Sequence, residues 1–159
     1  MNNPRPPRIA LFAGSFDPFT IGHQSIVDRG LEIFDRIVIG IGVNAGKKGW
    51  LPVEERKNSI ERIYTGNNRV KVIEFDCLTT EAARREEARF LLRGVRSAAD
   101  FEYERTLADI NRNLSGIETV LIYALPCYAS VSSSVVRELA SYGADIRPYL
   151  PVPPPHKEE

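Results

Sequence analysis

One stretch of the sequence organises the rest of the chain: Ile9-Ala10-Leu11-Phe12-Ala13-Gly14-Ser15-Phe16-Asp17-Pro18-Phe19-Thr20-Ile21-Gly22-His23. Its first four residues form an apolar run that is typical of a buried strand. A turn rich in glycine and proline follows, and an amphipathic segment opens at His23. We therefore expect a strand, a tight loop and a helix N-terminus, an arrangement whose backbone N–H groups and helix dipole can hold a phosphate.

The composition indicates a globular protein whose surface charges balance. The chain has 159 residues, of which 43% are hydrophobic and 26% charged, enough for one domain with a real core. Its 21 basic and 21 acidic side chains leave no formal net charge. A general binder of nucleic acid or of membrane surfaces would need a basic excess, so neither partner is expected. Phosphate binding would then depend on a few placed cations.

The cysteines and the terminus favour a cytoplasmic location. Cys77 and Cys127 have no second Cys or His at ligand spacing, so we expect two reduced, partly buried thiols. The proline-rich N-terminus lacks the apolar core of a signal peptide. No apolar run approaches membrane-spanning length.

Strands and helices alternate along the chain. The predicted strands are 9–12, 36–43, 70–75, 90–92 and 119–123, and the predicted helices are 23–34, 52–64, 80–89, 100–114 and 135–141. This alternation predicts a single α/β domain over residues 8–150, with a five-stranded, mostly parallel sheet flanked by helices. Residues 1–7 are expected to be flexible, and residues 151–159 to form a loosely ordered, proline-rich tail.

Polar residues follow every predicted strand. In sheets of this kind ligands bind beyond the carboxyl ends of the strands, so we expect five loops to converge on one rim. The residues in question are Ser15 and His23 after the first strand, Lys47 after the second, Thr79 after the third, Arg93 and Arg96 after the fourth, and Tyr128 to Ser134 after the fifth.

The common phosphate-binding motifs do not match. Gly14 and Gly22 are too far apart for a dinucleotide fingerprint. The stretch from Gly42 to Lys47 has one residue too few for a Walker A loop, and Lys48 stands where Ser or Thr should hold magnesium. A phosphate site of another kind is therefore expected.

Each candidate residue also has a simple structural explanation. The first loop could be a tight turn before a helix, and Lys47 could be a solvated loop lysine. Asp100 could be only a helix N-cap. The segment Arg93-Gly94-Val95-Arg96 is more specific, because two arginines at a strand end can grip two phosphates.

Three blocks of sequence together resemble a known family. Gly14-Ser15-Phe16-Asp17-Pro18 with Thr20-Ile21-Gly22-His23 resembles the signature of the nucleotidyltransferase superfamily. With the segment from Arg93 to Glu104 and with Ser132-Ser133-Ser134-Val135-Val136-Arg137-Glu138, the chain resembles the phosphopantetheine adenylyltransferase family. The likeness runs from Ile9 to about Leu150.

The resemblance implies a Rossmann-like nucleotidyltransferase fold and the reaction of ATP with 4′-phosphopantetheine to give 3′-dephospho-coenzyme A and pyrophosphate. It also implies Mg²⁺ on the triphosphate, feedback by coenzyme A and a homohexamer. The implied catalytic residues are His23, Lys47 and Arg96. Phosphopantetheine would be bound by Ser15, Lys47, Thr79, Arg93, Leu107 and Asn111. ATP would be bound by Ser15, Phe16, His23, Gly94, Val95, Arg96, Glu104, Tyr128, Ala129, Ser130, Val131, Ser132, Ser133 and Ser134.

The chain departs from the family pattern at two places. Ser15 stands where the family commonly has Thr, which keeps the hydroxyl, and the stretch from Ala124 to Val131 differs from the usual Glu-Trp-Ser-Phe-Ile type. One alternative is a nucleotidyltransferase for nicotinamide mononucleotide or a phosphorylated polyol, against which the Arg93–Glu104 segment argues. A nucleotide-binding regulatory module without catalysis is the other, and the presence of His23, Lys47, Arg93 and Arg96 together argues against it.

Overall fold

Five parallel strands form the centre of the molecule in the computed structural model, which describes residues 5–152. They are Ile9–Gly14 (β1), Arg36–Gly42 (β2), Val70–Phe75 (β3), Phe90–Val95 (β4) and Glu118–Tyr123 (β5). Their order across the sheet is β3-β2-β1-β4-β5, and every ladder between neighbours is parallel. The predicted α/β class is confirmed, with a sheet that is parallel throughout.

Because all four ladders are parallel, the carboxyl ends of the five strands point to the same edge, and each strand is followed by a helix. The helices are Ile21–Gly30 (α1), Val53–Ile63 (α2), Thr79–Arg85 (α3), Ala98–Ser115 (α4) and Ser133–Ser141 (α5). The predicted tail and N-terminus, residues 151–159 and 1–7, lie largely outside the described residues.

Side chains of β1 alternate between two hydrophobic clusters, one on each face of the sheet. Phe12 packs with Val27 of α1 on one face, and Leu11 packs with Ala83 of α3 on the other. All of these side chains are buried. Because both faces of the sheet are covered, the central strands read as continuous apolar runs in the sequence.

Two predicted helices end earlier than their apolar patterns suggest. The first stops at Gly30, after which the amide N–H groups of Ile33 and Phe34 both donate to the Gly30 carbonyl in a tight turn. The third stops at Arg85, because Glu87 adopts a positive φ of 57° that no helix can contain.

Strand β4 is longer than predicted, which changes the setting of two candidate residues. Arg93 and Gly94 pair with Leu121 and Ile122 of β5, so they belong to the strand and not to a loop. The helix that follows begins earlier than predicted, at Ala98. Its N-cap is Ser97, whose hydroxyl accepts the Asp100 N–H at 3.1 Å, so Asp100 is not the cap.

The cysteine prediction is half right. Cys77 is half-buried, but Cys127 is exposed because it lies in a short 3-10 turn, Pro126–Tyr128, on the surface. Across residues 5–152, no helix is both long and apolar enough to cross a membrane.

Candidate active site

Side chains of three other elements hold the turn after β1 in place through hydrogen bonds to backbone carbonyls. Ser15 is exposed at its tip, whereas Phe16, Asp17 and Phe19 are buried. The bonds that hold the turn are Arg93 Nη1 to the Ala13 carbonyl, Arg56 Nη1 to the Ser15 carbonyl at 2.7 Å, Arg137 Nη1 to the Asp17 carbonyl at 2.7 Å, and Ser133 Oγ to the Pro18 carbonyl at 2.8 Å. Because these bonds come from β4, α2 and α5, the turn is fixed by tertiary contacts.

His23 is part of the N-terminal cap of α1. Its backbone N–H donates to Thr20 Oγ1 at 3.3 Å, and the Thr20 N–H donates to His23 Nδ1 at 2.9 Å. An Nδ1 that accepts a backbone N–H cannot carry a proton itself, so the proton of the neutral ring lies on Nε2. The cap thus leaves His23 with one N–H to donate, on the opposite side of the ring.

The surroundings of His23 keep its ring neutral. Phe16 and Phe19 lie with ring centroids 5.1 and 5.3 Å from that of His23. Burial, followed by the positive charges of Arg96 and Arg93, lowers the pKa of His23 from 6.5 to about 4. At neutral pH the side chain is therefore a hydrogen-bond donor and not a cation.

A cavity of about 370 Å³ opens at the carboxyl ends of β1 and β4. Its size is suited to a small organic ligand. Most of the residues predicted to bind ATP line it: Ser15, Phe16, His23, Gly94, Val95, Arg96, Glu104, Tyr128, Val131, Ser132, Ser133 and Ser134. The rim positions expected after the first, fourth and fifth strands thus come together as the sequence predicts.

A second cavity, of about 250 Å³, lies on the other side of β1. Thr79, Arg93, Leu107 and Asn111 line it, and all four are residues predicted to bind phosphopantetheine. Gly42 and Phe75, at the ends of β2 and β3, complete this part of its wall.

The two cavities share a wall made by an ion pair. Arg93 and Glu104 line both cavities, as do Ala13 and Gly14. The Arg93 Nε and Nη2 atoms donate to the two Glu104 oxygens at 2.8 and 2.7 Å. Glu104 is 7% exposed and Arg93 is half-buried, so this bidentate pair joins a buried carboxylate on α4 to a half-buried guanidinium on β4. Ligands in the two cavities would therefore meet at Arg93.

Arg96 is held at the rim of the first cavity by Asp100. Its backbone N–H and its Nε both donate to Asp100 Oδ2, each at 3.1 Å. The Arg96 side chain remains 40% exposed, which leaves guanidinium N–H groups for an anion.

Three predicted residues lie outside both cavities. Lys47 is exposed in a turn where its N–H donates to the Asn44 carbonyl at 3.0 Å. Ala129 and Ser130 are exposed beyond the 3-10 turn. The structure therefore brings the second-strand loop near the rim without placing its lysine on the cavity wall.

The sequence alone does not identify the residues whose side chains hold the backbone around the site in place. Asp17 and Arg137 lie within the quoted motifs, but their roles as anchors do not follow from position. Arg56 carries no motif signal, because an arginine in the first turns of a helix is ordinarily a surface residue. Its burial, at 6% exposure, would be the only sign.

Comparison with known proteins places the chain in a family. The model of the family described as Cytidylyltransferase-like matches residues 11–139. The phosphopantetheine adenylyltransferase of Phocaeicola vulgatus is 54% identical over 91% of this chain and 95% of its own length. The protein of the same name from Bacteroides thetaiotaomicron is 51% identical over the same shares.

Solved structures agree on the fold. A putative nicotinate-nucleotide adenylyltransferase from Vibrio parahaemolyticus superposes with a TM-score of 0.62 at 17% identity, over 92% of this chain and 95% of that one. A bifunctional NMN adenylyltransferase/ADP ribose pyrophosphatase from Francisella tularensis gives 0.65 at 16% identity, over 91% and 45%. These likenesses show the nucleotidyltransferase type of fold, and the sequence identities are specific: the chain belongs to the phosphopantetheine adenylyltransferase family.

Proposed function

We propose that this protein transfers the adenylyl group of ATP to 4′-phosphopantetheine, forming 3′-dephospho-coenzyme A and pyrophosphate. Membership of the family supports the reaction. The structural observation that carries it is the pair of cavities that share Arg93 and Glu104. A transfer between two bound substrates needs two adjoining sites, one on each side of the reacting phosphorus.

The chemistry asks for positioning and charge stabilisation and needs no nucleophilic side chain. An oxygen of the acceptor phosphate attacks the α-phosphorus in line, forming one P–O bond while the bond to pyrophosphate breaks. The acceptor phosphate is already anionic at neutral pH, so no general base is needed. The nucleophile comes from the substrate, and no covalent intermediate with the enzyme forms.

His23 and Arg96 supply the donors for the charge that develops at the α-phosphoryl group. The neutral His23 ring donates from Nε2, because its Nδ1 is engaged by the Thr20 N–H. Arg96 lines the same cavity with N–H groups available. Donors that are already oriented need no rearrangement when the transition state forms, which makes them effective.

Lys47 and Ser15 are proposed to contact the acceptor phosphate. Ser15 lines the first cavity, at the tip of the turn. Lys47 lies on the loop after β2. Gly42, the last residue of that strand, lines the second cavity. A flexible lysine side chain can act there as a mobile point charge.

We propose that Mg²⁺ reaches the site on ATP. Asp100 and Glu104, the carboxylates of the first cavity, are both bonded to arginines. This donor set fits an ion held by phosphate oxygens and water, as Mg²⁺ commonly is. When bound, the ion would neutralise charge on the triphosphate.

The finer family expectations are also proposals: a cytoplasmic homohexamer that coenzyme A inhibits. The exposed face of α4 supports self-association. Tyr103, Ile110 and Leu114 are 62%, 49% and 62% exposed on that face, forming an apolar stripe on the surface of one chain. Because so much of these apolar side chains is exposed to water, contact with other copies of the chain would bury them favourably.

Pyrophosphate release with a panel of acceptors tests the proposed function. ATP is supplied with 4′-phosphopantetheine, nicotinamide mononucleotide or a phosphorylated polyol. We expect turnover with 4′-phosphopantetheine and formation of 3′-dephospho-coenzyme A, seen by mass spectrometry. Turnover with another acceptor alone would overturn the proposal.

The variant His23→Ala tests the role of the histidine in the same assay. It should lower kcat about 10²-fold or more while ATP binding changes much less.

A further inference from the structure

Asp17 carries a buried carboxylate that is bonded to a distant piece of backbone. Asp17 is only 7% exposed to solvent. Oδ2 accepts the Trp50 N–H at 2.7 Å, and Oδ1 accepts the Leu51 N–H at 2.8 Å. Within residues 5–152 no cationic side chain forms an ion pair with it. Both oxygens of the carboxylate are therefore used to hold the chain just before α2.

Arg56 makes the reciprocal bond. It lies in the first turns of α2, is 6% exposed, and donates from Nη1 to the Ser15 carbonyl at 2.7 Å. A side chain of the β1 turn thus holds the backbone before α2, and a side chain of α2 holds the backbone of the β1 turn. Charge-assisted bonds of this kind are stronger than neutral ones.

The loop that carries Lys47 is fixed mainly at its two ends. At its start, the Val43 N–H donates to the Phe75 carbonyl at 2.8 Å. At its end lie the two bonds to Asp17. Between them all residues from 44 to 50 are exposed, and the local bonds are those of Gly46 and Lys47 to Asn44.

We propose that Asp17 is a positioning residue that acts through Lys47. Its carboxylate fixes the end of the Lys47 loop to the turn that bears Ser15, so that the two groups approach the acceptor phosphate from a set relative position. The inference rests on the proposed function for its substrate, but the attachment itself stands on the geometry. Asp17 contacts no reacting atom, and its effect on rate passes through the loop.

The variant Asp17→Asn tests the attachment. The amide keeps one acceptor oxygen but turns its NH₂ group towards one of the two N–H donors, so one bond is lost. We expect the KM for 4′-phosphopantetheine to rise about tenfold, the size of one lost charge-assisted bond, and the KM for ATP to change less than about twofold. Glu61→Gln, an exposed acid on α2, is the control for a changed charge and should match the wild type.

A double-mutant cycle with Lys47→Ala separates positioning from a general structural effect. If Asp17 acts through Lys47, the variant with both substitutions has the same kcat/KM for the acceptor as Lys47→Ala alone. Two effects that multiply would show that Asp17 acts elsewhere, and would overturn the inference.

Gly49→Ala disturbs the same attachment while Asp17 keeps its carboxylate, and it tests the proposal if Asp17→Asn does not fold. A Cβ at Gly49 would lie 2.9 Å from the Leu51 carbonyl oxygen, 3.1 Å from Asp17 Oδ2 and 3.2 Å from Arg56 Nη2. The matched control is Gly46→Ala in the same loop, where a Cβ meets only the Asn44 side chain, at 3.3 Å. We expect a raised acceptor KM for Gly49→Ala alone.

Trypsin supplies a readout that does not depend on activity. Cleavage after Lys47 and Lys48 under native conditions, followed by mass spectrometry, reports how firmly the loop is held. We expect faster cleavage in Asp17→Asn and Gly49→Ala than in the wild type or Gly46→Ala. If the wild type shows no turnover with 4′-phosphopantetheine, the proposed function fails while cleavage still tests the attachment. Wild-type cleavage rates and acceptor KM values in both variants would overturn the inference.

Discussion

His23 performs two tasks with the two sides of one ring. Nδ1 closes the cap of α1 by accepting the Thr20 N–H, and Nε2 keeps the proton that can face a phosphate. A residue that only completed the capping box at this position would ordinarily be Glu or Gln. The ring is therefore oriented by the same bond that starts the helix, and its tautomer is fixed before any ligand binds.

The lowered pKa of His23 makes stability depend on pH. As pH falls below 6.5 the unfolded chain takes up a proton at this position, whereas the folded chain does so only near its pKa of about 4. Folding is therefore disfavoured progressively from pH 6.5 to 4, by about 2–3 kcal/mol for a partly exposed ring. Urea unfolding at pH 7.5 and 4.5 measures the effect.

The reference for that measurement is His23→Asn, which does not titrate and whose carbonyl oxygen can accept the Thr20 N–H. The wild type should lose stability relative to His23→Asn as the pH falls. A difference between the two proteins that is the same at both pH values would contradict the assignment of the lowered pKa to His23.

Strand β4 and helix α4 are joined at the site by the Arg93–Glu104 pair. The strand continues through Arg93 because β5 pairs with it, and so the guanidinium emerges from the sheet itself, on the wall between the cavities. A bidentate pair with a buried carboxylate fixes the arginine in one orientation, but it leaves a charged group without its partner when either member is removed.

Glu104→Gln should destabilise the protein measurably. The amide cannot accept from both guanidinium nitrogens, and Arg93 keeps its charge in a half-buried place. We expect a loss of about 1–3 kcal/mol in the free energy of unfolding, measured in urea at neutral pH.

Glu102→Gln on the same helix is the comparison. It breaks an exposed pair with Arg105 at 3.8 Å, and it should change the stability by less than about 0.5 kcal/mol. Equal losses in the two variants would mean that burial of the Glu104 pair has no energetic consequence.

The sequence predicts elements better than it predicts their ends or their anchors. Strand β2 is identifiable because β-branched residues occupy most of its length, and the rim positions follow from parallel topology. The end of α3 depends on the φ of Glu87, and the length of β4 on its pairing with β5, which no local pattern reports. Arg93, near the end of β4, and His23, at the start of the helix after β1, could therefore be placed on the rim from the sequence.

The residues that anchor the site could not be predicted from the sequence, for a different reason. Asp17, Arg56 and Arg137 each bond to backbone groups far along the chain. Every residue has a backbone N–H or carbonyl, so the partner leaves no mark on the sequence. For Lys47 the sequence predicts that it follows β2. The location of its side chain in space depends on where the two ends of its loop are held.

At the scale of the whole molecule, the proposed hexamer can be measured directly. Light scattering should give a mass about six times the 17.8 kDa of one chain. Leu114→Glu places a charge in the apolar stripe of α4 and should reduce the mass. Tyr142→Ser removes an exposed side chain outside α4 and should not. A monomeric wild type would contradict the proposal.

The three guanidinium groups behind the β1 turn have a consequence for how a ligand arrives. Arg56, Arg93 and Arg137 all donate to carbonyls between residues 13 and 17, so three of the 21 basic side chains of a chain with no formal net charge meet at one turn, where the carboxylates of Asp17 and Glu104 offset part of their charge. The positive charge that remains at this turn would attract a polyanion that diffuses past it. Added salt shortens the reach of this field to about 10 Å at 0.1 M, so the encounter rate becomes sensitive to ionic strength even though the protein as a whole is neutral.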